Sequence, residues 1–98
     1  MAIQVPYTSQ LFVEDDQIVA VCPELNVSSF ADTPDQALAA LREAVELFLE
    51  ECQRLGTLEM VMEEAGYYRD PTTPYRWVFR QPIQVNYMDV ILAQDHAG

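Results

Sequence analysis

The residues from Asp32 to Leu55 carry one long amphipathic pattern, which constrains the fold more than any other part of the chain. Thr33, Pro34 and Gln36 have the residue types and spacing of a helix N-cap, first position and third position, and Gly56 follows where a left-handed C-cap is favoured. Apolar residues recur every three or four positions, at Leu38, Leu41, Val45, Phe48, Cys52 and Leu55. The pattern predicts a single helix with one apolar stripe that packs against the rest of the domain.

Three short segments before this helix predict an antiparallel meander. Residues 3–13 alternate between apolar and polar positions, which predicts a half-buried strand, and Pro6 favours an edge position for it. Residues 18–22 are apolar on both faces, which is typical of a central strand covered on both sides. Residues 26–30 predict a third strand that leads into the helix.

The chain after Gly56 is predicted to return to this core. Residues 57–65 predict a short second helix with inward apolar positions, and residues 67–75 predict a loop because of their prolines, Asp and Thr. Residues 77–79 predict a short strand, and the alternation over residues 83–92 predicts a fourth main strand. We expect the last residues, QDHAG, to fray.

The elements together predict one α+β domain over residues 1–98. It consists of a three-stranded antiparallel meander, one long helix packed on the sheet, a short second helix and a returning C-terminal strand. Residues 1–66 form its core, and residues 67–98 contain an aromatic loop and the C-terminal strand. A chain of 98 residues suits a single domain of this kind.

The charge of the chain restricts its partners. Sixteen carboxylates stand against five arginines and no lysine, which gives a net charge of −11. Because nucleic-acid affinity depends on cations that displace counterions, we do not expect direct binding to DNA or RNA. Such acidity serves solubility or recognition of a basic partner, and composition alone does not choose between the two.

Composition also bears on location and cofactors. No apolar run reaches the ~18 residues of a membrane span, and the amino terminus lacks the basic and apolar parts of a signal peptide. We therefore expect a cytoplasmic protein without membrane contact. Cys22 and Cys52 lie in apolar patterns and are expected to stay reduced, and they are too few for a zinc site. We expect no metal and no cofactor.

An ordered set of motifs resembles the HicB-type antitoxins of bacterial toxin–antitoxin pairs. The resemblance covers roughly residues 3–67, and its most specific parts are the strand ending in CPEL and the spacing from there to the capped helix with its EAVE sequence. The motifs, in chain order, are IVAVCPEL at 18–25, ADTP at 31–34, Ala37-Leu38, Leu41, EAVELFLE at 43–50 and EAGY at 64–67.

The resemblance implies a partial ribonuclease-H-like fold without ribonuclease activity. It implies a function as well: binding a small, basic HicA-type toxin that cleaves messenger RNA, and occluding it. Many members of the family add a helix-turn-helix or ribbon-helix-helix segment that binds promoter DNA, but the residues after Gly66 do not predict a pair of helices. The alternative is an orphan regulatory or small-ligand-binding module of the same fold without a toxin partner.

Enzymatic activity is not expected from the residues. Glu14, Asp15 and Asp16 are adjacent carboxylates, as a metal-dependent nuclease would need, but their pattern is also that of a solvated turn. His96 is the one histidine and lies in the segment expected to fray. Ser29 has no nearby base in the sequence pattern. A metal-dependent nuclease is therefore the weakest of the hypotheses.

Four aromatic residues bracket the predicted loop: Tyr67, Tyr68, Tyr75 and Trp77. Aromatics are enriched at interfaces, but they also bury large areas in small cores, and we expect Trp77 to pack. Three nearby arginines, at positions 69, 76 and 80, leave open a base-stacking surface.

The helix predicts a candidate binding face. At 100° per residue, Glu43, Glu46 and Glu50 cluster opposite the apolar stripe, and Leu47 lies beside them. An apolar anchor rimmed by carboxylates suits a basic partner, with the acidic turn at 14–16 as a second candidate; an ordinary solvated face is the alternative.

The strand predicted over residues 83–92 carries more apolar surface than a lone terminal strand should expose. Because unpaired strand edges favour pairing with another chain, we also expect a homo-oligomer that involves this strand.

Overall fold

The computed structural model describes residues 2–80 and 82–94, and it confirms the predicted α+β class. The elements in chain order are the strands β1 (Gln10–Glu14), β2 (Gln17–Cys22) and β3 (Val27–Ala31), the helices α1 (Pro34–Leu55) and α2 (Leu58–Glu64), and the strands β4 (Tyr67–Arg69) and β5 (Trp77–Phe79). The predicted frayed end at residues 95–98, which includes His96, lies outside the described residues.

The first three strands form the predicted antiparallel meander, with β2 in the centre. Asp15 in the β1–β2 turn and Asn26 in the β2–β3 turn both have φ of 55°. Aspartate and asparagine tolerate this left-handed conformation better than other residues with a side chain, so the turn chemistry of the sequence matches the backbone.

The helix α1 begins and ends where its caps predict. Thr33 has extended dihedral angles, φ −128° and ψ 156°, and its hydroxyl accepts a hydrogen bond from the Gln36 amide at 3.2 Å. Gly56 closes the helix with φ of 73°, and its amide donates to the Gln53 carbonyl at 3.2 Å. Both caps satisfy backbone groups that a helix end leaves unpaired.

The core lies between α1 and the sheet. The buried residues of α1 are Ala37, Leu41, Val45 and Cys52. Leu38 and Leu55, also expected in the stripe, are 38% and 59% exposed. A helix of 22 residues is about 33 Å long, while strands of five or six residues span only about 20 Å, so the sheet does not cover the ends of the stripe.

The predicted second cover over β2 is absent from the described residues. Ala20 and Cys22 are buried on the helix side, but Phe12, Val19 and Phe30 align across the opposite face through the strand register. Phe12 is 53% and Phe30 is 62% exposed. The prediction that β2 is covered on both sides is therefore wrong, because α1 is the only described layer packed on this sheet.

The first predicted strand is also shorter and more exposed than expected. β1 begins only at Gln10 and is exposed along its whole length. Of the residues before it, Val5 and Tyr7 pack against the core, and the Pro6 carbonyl accepts a 2.6 Å hydrogen bond from the Tyr67 hydroxyl. The alternation over residues 3–13 therefore does not correspond to a single strand. Residues 5–7 contact the core and Tyr67, whereas residues 10–14 form β1.

The returning segment is a strand pair at residues 67–79. β5 confirms the short strand predicted at 77–79, but the loop predicted over 67–75 is wrong at its start, where β4 pairs antiparallel with β5. The strand predicted over residues 83–92 is not formed, and every described residue from 82 to 94 is exposed. Alternation favours an amphipathic strand, but a strand also has to pair with an edge, and this segment pairs with none of the described strands. No helix in the described parts of the chain combines the length and apolarity that a membrane crossing would require.

Glu24 links the segment before β1 to the β2–β3 turn. Its carboxylate accepts hydrogen bonds from the Thr8 amide at 3.2 Å, from the Thr8 hydroxyl and from the Cys22 thiol at 3.3 Å. Burial raises the pKa of Glu24, but these hydrogen bonds outweigh burial and hold its pKa below the usual value. Burial raises the pKa of the Cys22 thiol to about 11, so the thiol remains protonated as a donor.

Leu41 tests the packing of α1 on the sheet. We expect Leu41→Ala to lower the free energy of unfolding by about 2–5 kcal/mol, because the substitution removes buried methyl groups and leaves a cavity. Leu55→Ala, on the same helix but exposed, is the matched control and should stay within about 0.5 kcal/mol. Urea denaturation of both variants measures the difference, and an unchanged midpoint for Leu41→Ala would contradict the packing described.

Glu24 tests the polar link through pH dependence. A carboxyl with a depressed folded pKa stabilises the protein above its unfolded pKa, near 4.5, and loses that contribution as the pH falls through the folded value. We therefore expect Glu24→Gln to lower stability by about 1 kcal/mol at neutral pH and to reduce the loss of stability below pH 4.5. Thr8→Val removes the hydroxyl donor and keeps the amide donor, and it should change stability in the same direction. Denaturation curves between pH 3 and 7 measure this effect. If the free energy of unfolding falls below pH 4.5 as steeply in Glu24→Gln as in the wild type, the result contradicts the link.

Candidate partner-binding surface

The acidic face predicted on α1 is exposed to solvent. Glu43, Glu46, Leu47 and Glu50 all lie on the side of the helix away from the buried residues Leu41 and Val45. The Leu47 residue is 66% exposed, although it is a large apolar residue. The helix therefore presents an exposed apolar side chain beside these carboxylates, as the sequence pattern predicts.

Two arginines flank this face and neutralise part of it. Arg42 Nε lies 3.3 Å from Glu46 Oε1, and Arg54 donates to Glu51 with Nε at 3.0 Å from Oε2. One carboxylate of the face, that of Glu46, is therefore paired with an arginine. Among the described residues, Glu43 and Glu50 have no cationic partner within ion-pair distance.

A groove of about 650 Å³ runs beside the acidic face, between the first residues of the chain and α1. Its apolar lining comes from Ile3, Val5, Val45, Leu49 and Leu58. Its polar lining includes Arg42, Glu46, Glu50 and Gln53. Two carboxylates, Glu46 and Glu50, thus belong to both the groove and the exposed face. The two features form one surface, in which apolar contact area is bordered by negative charge.

Long-range backbone pairing forms the outer wall of the groove. The Gln4 amide donates to the Tyr75 carbonyl at 2.8 Å, and the Trp77 amide donates to the Gln4 carbonyl at 2.9 Å. These bonds hold residues 2–5 beside α1. The groove does not follow from the sequence pattern, because the alternation over residues 3–13 predicts that Ile3 and Val5 belong to a strand of the main sheet. The signal available was the apolar character of these residues, but the residues opposite them in the groove, Leu49 and Leu58, lie far from them in the sequence.

The second predicted acidic site lies elsewhere on the molecule. Glu14, Asp15 and Asp16 form the exposed β1–β2 hairpin turn, and Glu14 and Asp15 border a small cavity of about 180 Å³ with Phe30. The turn belongs to the sheet layer, whereas Glu43, Glu46 and Glu50 project from the far side of the helix layer. The structure therefore does not bring the two acidic sites together.

The described residues do not gather ligands for a metal ion. Within residues 2–80 and 82–94, no group of three or more His, Cys, Asp or Glu side chains is arranged to hold one. Cys22 and Cys52 are free thiols and both are buried.

The aromatic residues divide between core and surface. Trp77 and Tyr67 are 2% and 3% exposed, which confirms the expectation that Trp77 packs, whereas Tyr68 and Tyr75 are about half exposed. The Arg69 guanidinium lies 4.6 Å from the centre of the Trp77 ring and also donates to Glu59 and to the Pro74 carbonyl. Arg69 is thus held by contacts within the protein, and the indole ring is covered. This arrangement favours a packing role over a base-stacking surface.

Comparison with models of known families, with curated proteins and with solved structures finds no match to this chain.

Proposed function

We propose that this protein is an antitoxin-like inhibitor that binds a small basic toxin of the HicA type and occludes its RNA-binding surface. The observation that carries the proposal is the exposed face of α1, where Glu43, Glu46 and Glu50 lie between Leu47 on one side and the apolar groove on the other. The resemblance of residues 3–67 to HicB-type antitoxins supports the same assignment. Inhibition by occlusion requires no catalysis, no metal and no cofactor from this chain.

The chemistry of the surface suits a partner that normally binds RNA. A protein surface that binds phosphates presents cations, and the carboxylates of α1 offer these cations an alternative anionic partner. Leu47 and the groove add apolar area, which supplies most of the binding energy at the centre of an interface. Carboxylates at the rim chiefly accelerate encounter and prevent association with acidic proteins.

The fold also bears on DNA binding. Residues 67–80 and 82–94 contain a strand pair and an extended segment but no helix. The whole chain has a net charge of −11, and this region has no cationic helix of the kind that reads a DNA groove in helix-turn-helix proteins. We therefore propose that residues 67–94 do not bind promoter DNA.

A second function, binding of a small ligand by an orphan regulatory module, is favoured by one observation. The groove of about 650 Å³ has the size of typical ligand pockets, about 300–1,000 Å³, and combines apolar lining with a few polar groups. Two carboxylates, Glu46 and Glu50, border the groove, and Arg42 is already paired with Glu46, so the charge favours a ligand that carries a cationic group beside an apolar body. A ligand of this kind and a protein partner would compete for the same groove.

Capture of the partner tests the proposed function. We expect affinity-tagged protein, expressed in its native cell, to retain a small basic protein identified by mass spectrometry. That protein alone should cleave messenger RNA, and stoichiometric addition of this chain should abolish cleavage. RNA digestion assays with and without the chain measure the effect. Retention of no basic protein, or RNA cleavage that persists in the purified complex, would overturn the proposal.

The acidic face of α1 is tested by two variants of equal charge. We expect the triple variant Glu43→Gln, Glu46→Gln, Glu50→Gln to slow association with the basic partner about tenfold at low salt and to weaken the salt dependence, because rim charges steer encounter. The matched control is Glu14→Gln, Asp15→Asn, Asp16→Asn, which removes the same charge from the hairpin turn. Asparagine tolerates the positive φ of Asp15, so this turn should keep its conformation.

Stopped-flow association rates at two salt concentrations distinguish the two sites, once circular dichroism shows that both variants are folded. A slower rate for the turn variant alone would place the partner at residues 14–16. Equal effects of both variants would mean that only net charge matters and that neither face is specific.

A further inference from the structure

The segment of residues 82–94, named here the C-terminal arm, extends away from the folded body. Its large apolar residues are between 64% and 104% exposed: Ile83, Val85, Tyr87, Met88, Val90, Ile91 and Leu92. Within the described residues, its one side-chain hydrogen bond joins Gln84 to Asn86 inside the arm, and none joins it to the body. The molecule is 62 Å long but only 33 and 27 Å across. The arm therefore does not fold along its own sheet.

The surface area shows how much contact is missing. The chain exposes 8039 Å², whereas a folded monomer of 11.2 kDa is expected to expose about 5,700 Å². The excess of about 2,300 Å² exceeds the ~800 Å² that each partner buries in an interface of standard size. An excess of this size fits a chain that completes its fold in an obligate complex.

The edge strand β1 also has an unpaired edge and exposed apolar residues. It pairs with β2 on one side, its other edge has no partner among the described strands, and α1 packs on β2 and β3. Leu11 and Val13 point to the helix side, opposite Ala20 and Ile18, and Phe12 points to the outer face, opposite Val19. Leu11, Phe12 and Val13 are 41%, 53% and 78% exposed. β1 thus offers both a free hydrogen-bonding edge and apolar surface on each face.

The arm complements this edge in pattern and in charge. Val90, Ile91 and Leu92 are consecutive apolar residues, so as a strand they would supply apolar side chains to both faces, as Leu11, Phe12 and Val13 do. Asp89 is the only charged residue of the described arm. Two bodies with a net charge of −11 per chain repel each other, but contact through a nearly neutral arm adds little charge to the interface.

We propose that the C-terminal arm of one chain adds as a strand to the free edge of β1 in a second copy, and that the exchange is reciprocal. Strand addition satisfies the backbone groups of both partners, and reciprocal exchange closes the assembly as a two-fold dimer. The site at β1 is incomplete without the second copy, because the described residues of the same chain's arm do not pair with it. This inference is independent of the proposed toxin-binding function.

Sedimentation equilibrium of the full chain tests the dimer. At tens of micromolar we expect twice the 11.2 kDa mass of one chain. Val13→Asp at the edge and Ile91→Asp in the arm should each raise the dissociation constant at least about a hundredfold, because each buries an unpaired carboxylate. Met60→Asp, which adds the same charge at an exposed position of α2, should remain dimeric. A monomeric wild type, or an Ile91→Asp variant as dimeric as the wild type, would overturn the proposal.

Cross-linking shows which chain supplies the arm. Chains carrying Val13→Cys are mixed with chains carrying Ile91→Cys and treated with a bis-maleimide about 10 Å long, which tolerates a register shift of two residues along a strand. We expect covalent dimers well above the yield from a matched mixture of Met60→Cys and Ile91→Cys chains.

The double variant, with Val13→Cys and Ile91→Cys on one chain, decides between exchange and folding back. If it cross-links within single chains while the mixed variants do not cross-link, the arm folds onto its own β1 and the exchange is refuted. If Val13→Asp does not fold, this experiment still tests the exchange, because the cysteine variants place no charge at the edge of β1.

Discussion

The contact between α1 and the centre of the sheet organises the whole molecule. Three small residues meet there, Ala20 and Cys22 on β2 and Ala37 on α1, and none has measurable exposure. Small side chains bring helix and sheet close enough for Leu41 and Val45 to be enclosed, and dispersion contacts depend steeply on such distances. Because one side of α1 is fixed by this packing, the orientation of its opposite side is fixed too. The acidic face around Leu47 is thus a geometric consequence of the core.

Much of the fold follows from local sequence signals. The helix α1 has a capping residue, a proline in its first turn and a closing glycine, so its limits needed no tertiary information. The strand β2 was also predicted to within one residue, whereas residue 26, predicted as the start of the third strand, lies in the turn before β3. The acidic face of α1 could also be predicted, since the position of Glu43 or Glu50 on a helix depends only on its spacing from Leu41.

The errors concern contacts between distant parts of the chain. The β4 strand was missed because its pairing with β5 spans a segment rich in prolines and polar residues, which by itself predicts a loop. A strand over residues 83–92 was predicted from alternation, but alternation does not specify a partner edge. The groove requires Ile3 and Val5 to lie against Leu49 and Leu58, and no local pattern encodes that proximity. Sequence reasoning therefore found the charged half of the candidate surface and not its apolar half.

The pairing of Gln4 with residues 75–77 has a consequence for the order of folding. The meander and α1 are assembled from contacts between neighbouring elements, whereas this pairing joins positions near the two ends of the described chain, as does the Tyr67–Pro6 hydrogen bond across 61 positions. The entropy cost of closing a loop rises with its length, so such contacts form only after intervening residues are already compact. We therefore expect the wall of the groove to be the part of this fold that forms last.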